Sequence, residues 1–351
     1  MNRASGSSDV RLPVSVITGF LGSGKTTLLR HLLRHPDMGR TAVIMNEFGE
    51  IGIDHDLVET SDENFVQLTT GCLCCKVRSD LVLTLADLAA RRAAGTMPPF
   101  ERVVIETTGL ADPAPILHAL MTDRDLAEVY ALGNVVATAD AVCGLETLHA
   151  HEQSVRQAAM ADAIVITKTD LPQARTEALK ARLAELNPGA TTLTAVHGAL
   201  GPDALFEAGG YNPAARLPRV QAWLADESTA ASQGATAHRH EDDITSFCIV
   251  REAPVHAVTL ALFLEALADN CGADLLRVKG IVHVAEQADK PAVIHGVQHV
   301  FHPPVWLDRW PSDDRRTRIV FIVHDIAMSW VRGLLELLDA EVASETARQR
   351  R

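Results

Sequence analysis

The sequence predicts an α/β protein with a mostly parallel, doubly wound sheet, followed by a smaller α+β domain. Six short, β-branched apolar runs alternate with Ala- and Leu-rich stretches of helical spacing, which is typical of parallel strands covered on both faces. The runs are VSVIT, TAVIM, RVVIE, NVVATA, AIVIT and TTLTA, beginning at residues 14, 41, 102, 134, 163 and 191. A glycine-rich loop follows the first run, and the composition changes after residue 212.

The chain of 351 residues suits two domains. We expect a disordered N-terminus (1–12), a first domain (13–212), a linker (213–243), a second domain (244–342) and a polar tail (343–351). The linker contains STAASQGATAHRHEDD, which has too few large apolar residues to pack. The second domain reads as strand, helix, three strands and a last helix near 326–339.

Charge and cysteine usage exclude several classes of protein. The net charge of −13 would repel phosphate backbones and anionic lipids, so we expect no nucleic acid and no membrane as partners. The polar N-terminus lacks the apolar stretch of a secretory signal, and six irregularly spaced cysteines make no disulfide framework. These features favour the cytoplasm.

The loop after the first predicted strand matches the P-loop pattern G-x-x-x-x-G-K-[ST] from Gly19 to Thr26. Gly19, Gly22 and Gly24 would let backbone N–H groups, with that of Ser23, turn toward phosphate oxygens. Lys25 would reach the β and γ phosphates, and the Thr26 hydroxyl would bind Mg²⁺. The sequence therefore predicts a nucleoside triphosphate site.

Two further segments follow predicted strands and complete this site. In VVIETTGLADP (103–113), Glu106 can meet Mg²⁺ or its water, and the Gly109 amide can sense the γ-phosphate. In ITKTD, Asp170 can accept hydrogen bonds from the ring N–H and amine of guanine while the stem of Lys168 packs over the base. Lys168 and Asp170 therefore favour GTP. We keep ATP as the alternative because Thr167 stands where guanine-binding proteins usually have Asn.

Three of the six cysteines, Cys72, Cys74 and Cys75, lie in GCLCCKVRS between NEFGEIGID (46–54) and the Glu106 strand. Three soft donors this close suit Zn²⁺, Co²⁺ or Cu⁺, with Glu50 or water as a fourth ligand. A redox-sensing thiol cluster is the alternative. Cys143, Cys248 and Cys271 stand alone and are expected to be small buried hydrophobes.

Taken together, TGFLGSGKTTLL, NEFGEIGID, GCLCC, IETTGLADP, ITKTD, LLRVKG and HGVQ resemble the CobW-like family of metal-trafficking P-loop GTPases over nearly the whole chain. The resemblance implies a P-loop GTPase domain and a CobW-like C-terminal domain. It implies that residues 22–27, including Thr27, bind phosphate and Mg²⁺, that Glu106 is the switch carboxylate, and that Lys168 and Asp170 read guanine. Lys25 and Glu106 would be the catalytic residues, and the three cysteines match the metal motif of the family.

Some residues depart from the family pattern. Only His238 and His240 stand where relatives often have a long His-rich segment, and we interpret them as solvated linker. Met45 offers no carboxylate where some relatives do. His295, His299 and His302 fall in predicted strand and turn, where their spacing does not share one face, so we expect surface or packing roles.

Three functions remain open at this point. The first is a slow GTPase whose hydrolysis gates delivery of a transition metal, Zn²⁺ above others, to a metal-requiring client protein. The second is a nucleotide-switched binding protein whose thiols report redox state. The third is a P-loop kinase or ligase, which the guanine and cysteine motifs disfavour. The sequence also leaves open whether the chain forms a homodimer.

Overall fold

The structure is a computed structural model that describes residues 11–46, 66–70, 77–206 and 244–349. These residues form an N-terminal unit (11–206) and a C-terminal unit (244–349), each built around one sheet. Within the described ranges, no helix combines the length and the apolar character that crossing a bilayer would require.

The N-terminal unit contains a seven-stranded, wholly parallel sheet of order β3-β2-β4-β1-β5-β6-β7. Its strands are β1 (Leu12–Gly19), β2 (Thr41–Asn46), β3 (Val66–Thr70), β4 (Arg102–Glu106), β5 (Tyr130–Asp140), β6 (Ala163–Thr167) and β7 (Thr191–Ala195). Six of them are the predicted runs. β3 was not predicted, because this edge strand has only two large apolar residues, Val66 and Leu68, between polar ones.

Helices cover both faces of this sheet, as the sequence predicted. They are α1 (Lys25–Leu33), α2 (Val77–Ala93), α3 (Ala114–Thr122), α4 (Arg124–Val129), α5 (Gly144–Ala150), α6 (Glu152–Ala159), α7 (Thr176–Leu186) and α8 (Pro202–Leu205). Successive side chains of β1 point to opposite faces of the sheet, so the core has two parts. Val14 and Val16 pack with α2, α3 and α7 on one face, and Ile17 packs with α1 and α8 on the other. The sheet is therefore doubly wound.

The C-terminal unit is an antiparallel sheet of order β11-β10-β9-β13-β8, with β12 paired to β10 and two helices against it. Its elements are β8 (Ile244–Arg251), α9 (Ala257–Cys271), β9 (Arg277–Val282), β10 (Ala292–Val297), β11 (Val300–Phe301), β12 (Val305–Trp306), β13 (Thr317–His324) and α10 (Met328–Gln349). This is the predicted α+β arrangement, except that five strands rather than three follow α9, because the two-residue strands β11 and β12 are too short to predict from the sequence. α10 continues to Gln349 rather than ending near residue 339, since its last turns are rich in good helix formers.

The two units share a buried surface. Ile244, Leu276, Val297 and Ile322 belong to the same apolar cluster as α3 and α7 of the N-terminal unit. Beside this cluster, the Ser246 hydroxyl donates to the Glu185 carbonyl over 2.7 Å. The core is thus continuous across the two sheets.

A buried charge cluster lies in the same interface. Arg277 and Lys279, both on β9, contact one carboxylate oxygen of Asp162, with Lys279 Nζ at 2.6 Å. Arg277 also donates to the Met160 carbonyl, and the Val135 amide donates to the other Asp162 oxygen over 2.9 Å. The side chains of Arg277 and Asp162 are only 3% and 8% exposed. The two basic residues of LLRVKG therefore face the N-terminal unit.

Candidate nucleotide and metal site

The glycine-rich loop has the strand, loop and helix arrangement that its motif requires. It follows β1 and leads into α1, with Gly24 as the residue that caps the helix. Gly19, Gly22 and Gly24 all have positive φ, a conformation that favours glycine. A Cβ at Gly19 would lie 2.4 Å from the Thr138 hydroxyl oxygen. Backbone geometry and close packing therefore both demand glycine in this loop.

Lys25 folds its amine back onto the loop. Its Nζ donates to the carbonyls of Gly19 over 2.8 Å and of Phe20 over 3.0 Å. Burial lowers the pKa of Lys25, and the nearby carboxylate of Glu106 opposes that shift. The ammonium is thus held at the loop, where the phosphates of a nucleotide would replace the two carbonyls.

Thr26 and Glu106 meet beside the loop although they lie 80 residues apart. β4 pairs with β1, and Glu106 is aligned with Ile17, so its carboxylate lies next to the start of α1. The Thr26 hydroxyl donates to Glu106 Oε1 over 2.6 Å, and Glu106 is 6% exposed. A hydroxyl and a carboxylate are the hard oxygen ligands that suit Mg²⁺. The donor set therefore fits this ion.

The segment after β4 lies against the loop. A Cβ at Gly109 would approach Leu21 within 2.7 Å, so the chain at Gly109 touches the tip of the loop. Gln157 of α6 holds this segment, because its Nε2 donates to the carbonyls of Gly109 and Ala111 over 3.2 and 3.0 Å. Sequence analysis missed Gln157. The sequence EQSVRQAA gives little signal for it, because polar residues stand all along the helix and only the structure shows that Gln157 is buried.

The residues that the sequence predicts to read the base follow β6. Thr167 donates its hydroxyl to the Ser23 carbonyl over 2.7 Å, so the residue in the usual Asn position connects the end of β6 to the glycine-rich loop. Lys168 has φ 56° and its Nζ lies 2.6 Å from Asp140 Oδ2. His197, in the loop after β7, lies 3.8 Å from Asp170 Oδ2. Lys168 and Asp170 thus stand beside the same loop as Lys25.

The predicted metal ligands Cys72, Cys74, Cys75 and Glu50 lie outside the described residues, as does most of NEFGEIGID. β3 ends at Thr70, which is aligned with Asn46 of β2, and both are at the sheet edge that bears the glycine-rich loop. β3 thus ends at this side of the sheet, two residues before Cys72 in the chain.

The remaining cysteines and candidate ligands can be described. Cys271 is buried and Cys248 is partly buried, but Cys143 is exposed, so our expectation of a buried hydrophobe was wrong there. Cys143 directly precedes α5, and its side chain is at the surface although the first residue of the helix, Gly144, is buried. In the ranges the structure covers, no three His, Cys, Asp or Glu side chains are grouped to hold a metal.

The two units coincide with two known sequence families. The CobW/HypB/UreG nucleotide-binding domain family matches residues 13–194, and the cobalamin synthesis protein cobW C-terminal domain family matches residues 244–338. Together these matches include the glycine-rich loop, Glu106, Lys168 and Asp170.

Relatives match nearly the full length. The zinc chaperone YjiA of Escherichia coli (strain K12) is 33% identical over 315 residues, which cover 89% of this chain and 93% of the relative. The zinc chaperone CobW of Pseudomonas aeruginosa is 31% identical over 362 residues, covering 93% and 91%. The crystal structure of the Zn(II)-bound YjiA GTPase from E. coli matches with a TM-score of 0.70 at 28% identity, covering 93% of this chain and 99% of that one.

Proposed function

Because the chain belongs to the CobW/HypB/UreG family of nucleotide-binding proteins, we propose that it is a GTP-hydrolysing metallochaperone with slow intrinsic turnover. It binds a transition metal, most readily Zn²⁺ and also Co²⁺, at the CxCC motif. It then delivers the metal to a client protein in a nucleotide-dependent way. Full-length similarity to two zinc chaperones supports this proposal.

The observation that carries the nucleotide part is the contact between Thr26 and Glu106. It joins the P-loop hydroxyl to the carboxylate at the end of the neighbouring strand. These two side chains would hold Mg²⁺, which neutralises phosphate charge when bound. Lys25 then exchanges its two carbonyl partners for β- and γ-phosphate oxygens, and the backbone N–H groups of residues 22–27 hold the remaining oxygens.

Guanine specificity is assigned to Lys168 and Asp170. Asp170 accepts from the two guanine donors, and the Lys168 stem covers the base. Thr167 supports this pair through its hydrogen bond to Ser23, because that bond fixes the distance between the base site and the phosphate loop.

The nucleotide state reaches the metal through the segments on either side of the cysteines. Gly109 senses the γ-phosphate on one side, and Glu50 belongs to the first switch segment on the other. If GTP orders these segments, Cys72, Cys74 and Cys75 come together with Glu50 or water, and metal affinity rises. Hydrolysis then lowers that affinity and releases the metal to the client.

The test is a competition titration of Zn²⁺ against a chelator, with reduced protein in the nucleotide-free, GDP and non-hydrolysable GTP-analogue states. We expect the tightest binding with the GTP analogue and a coupling of about 1 to 3 kcal/mol. Cys74→Ser should remove the tight site and leave metal-free GTP binding unchanged. Cys143→Ser is the matched control, because it removes an exposed thiol outside the motif.

Equal Zn²⁺ affinity in all three states would refute nucleotide-gated delivery. Weak Zn²⁺ binding by the reduced protein, together with ready oxidation of the cysteine cluster, would instead support the redox-sensing alternative. Lys25→Ala tests the enzymatic part of the proposal separately from the metal-binding part. This variant should lose GTP hydrolysis and remain folded.

A further inference from the structure

Two histidines from different units meet at the surface of the protein. His118 lies on α3, and His299 lies in the short turn between β10 and β11. Their Nε2 atoms are 2.9 Å apart, and their rings are tilted by 56° with centroids 4.6 Å apart. Sequence analysis treated His299 as a surface or packing residue and did not single out His118, which lies 181 residues away.

Local structure sets the backbone positions of both histidines. Val297 pairs with Val300, so only Gln298 and His299 connect the strands, and Gln298 has φ 52°. This tight turn directs His299 toward α3, which packs on β10 and β11. On the other side, α3 is anchored by buried Leu117, next to His118. The two nitrogens thus face each other because two rigid elements hold them there.

The chemistry of this pair is that of a metal chelate. Neutral imidazole nitrogen is a preferred ligand of Zn²⁺, Co²⁺, Ni²⁺ and Cu²⁺. Two Zn–N bonds of about 2.0 to 2.1 Å at a tetrahedral angle place the nitrogens about 3.4 Å apart. The observed 2.9 Å needs only a small opening. His299 is exposed, so water can complete the coordination shell.

We propose that His118 and His299 form a second transition-metal site, which takes Zn²⁺ or Co²⁺ through two imidazoles and water and bridges the two units. It is independent of the cysteine motif and of GTP. With two protein ligands, the site binds metal more weakly than a three-thiolate cluster does, and the metal exchanges readily. A metal here would hold α3, which begins five residues after Gly109, against the C-terminal sheet.

The experiment uses full-length protein in which Cys72, Cys74 and Cys75 are replaced by Ser, so that only other sites remain. Co²⁺ is titrated and followed by its visible absorption, with Zn²⁺ as competitor, in the absence of nucleotide. We expect one equivalent to bind. His118→Gln and His299→Gln should each weaken that binding by at least about tenfold, because one of two ligands is lost.

The matched control is His35→Gln, which removes a histidine whose Nδ1 accepts from the Asp37 amide over 3.3 Å and lies 3.4 Å from the Asp37 carboxylate. It should leave the affinity unchanged. A gain-of-signal variant, His299→Cys, should keep the site and add thiolate-to-cobalt absorption in the near ultraviolet. Circular dichroism checks that each variant is folded.

The proposal fails if the variant without Cys72, Cys74 and Cys75 binds no Co²⁺, which would leave a hydrogen-bonded histidine pair only. It also fails if the double variant His118→Gln/His299→Gln binds Co²⁺ as well as its parent does. Neither result bears on the cysteine motif, because the test protein lacks it. A failure of the histidine site can therefore be distinguished from a failure of the proposed function.

Discussion

The interface between the two units should depend strongly on Arg277. We consider Arg277→Met, which removes the cation and keeps most of the apolar volume. The variant loses the hydrogen bond to the Met160 carbonyl, which contributes about 1 kcal/mol. It also loses the charged hydrogen bond to Asp162, which contributes about 1.5 to 3 kcal/mol.

Asp162 keeps two of its partners in the variant. Lys279 Nζ stays 2.6 Å from one carboxylate oxygen, and the Val135 amide still donates to the other. The full cost of leaving a buried charge unpaired, about 3 to 5 kcal/mol, is therefore an upper limit. We expect the free energy of unfolding of the C-terminal unit to fall by about 2.5 to 4 kcal/mol.

Urea unfolding followed by tryptophan fluorescence measures this change, since Trp306, Trp310 and Trp330 lie in the C-terminal unit. The control is Arg315→Met, because Arg315 and Asp289 are paired over 3.3 Å with side chains 57% and 93% exposed. That variant should change the free energy of unfolding by no more than about 0.5 kcal/mol. Equal, small changes in both variants would refute the argument that burial makes the Arg277 pair important.

Three further variants test the nucleotide site. Thr167→Val keeps the shape of the side chain and removes the donor to Ser23, so GDP affinity, measured with a fluorescent analogue, should fall by about fivefold; an unchanged affinity would contradict the role of this bond. Asp170→Asn should make xanthosine triphosphate a better competitor than GTP in the same assay, and a retained preference for GTP would remove the guanine assignment. Gln157→Leu removes the donor to the Gly109 carbonyl, so the amides of residues 107–112 should exchange hydrogen faster. Protection factors in the variant equal to those of the wild type would show that Gln157 does not hold this segment.

How far the sequence predicts this protein depends on whether a feature is local. The six apolar runs and the glycine-rich loop are local, and the sheet and the loop follow from them. The sequence analysis did not predict β3, because this edge strand alternates apolar and polar residues instead of forming an apolar run. The spacing rule for strands also failed for His295 and His302, since a hairpin makes them cross-strand neighbours with ring centroids 5.7 Å apart.

Contacts that strand order does not imply could not be predicted from the sequence. Asp162 looks like an ordinary residue before a strand, and only the docking of β9 shows that it binds Arg277 and Lys279. Burial, with the positive charge of Arg277 nearby, lowers the pKa of His295 well below its usual value, which the sequence does not indicate either. The meeting of Thr26 with Glu106 was predictable because parallel strands bring their carboxyl ends to one edge.

Helix α6 and the residue just after it make hydrogen bonds to other parts of the protein at two positions less than one turn apart. Gln157 holds the carbonyls of Gly109 and Ala111, and the Met160 carbonyl, just past the end of the helix, receives Arg277. Both sets of hydrogen bonds lie at the C-terminal end of one short helix. The spacing between the Gly109 segment and strand β9 is therefore set by α6 and does not depend on a loop between them.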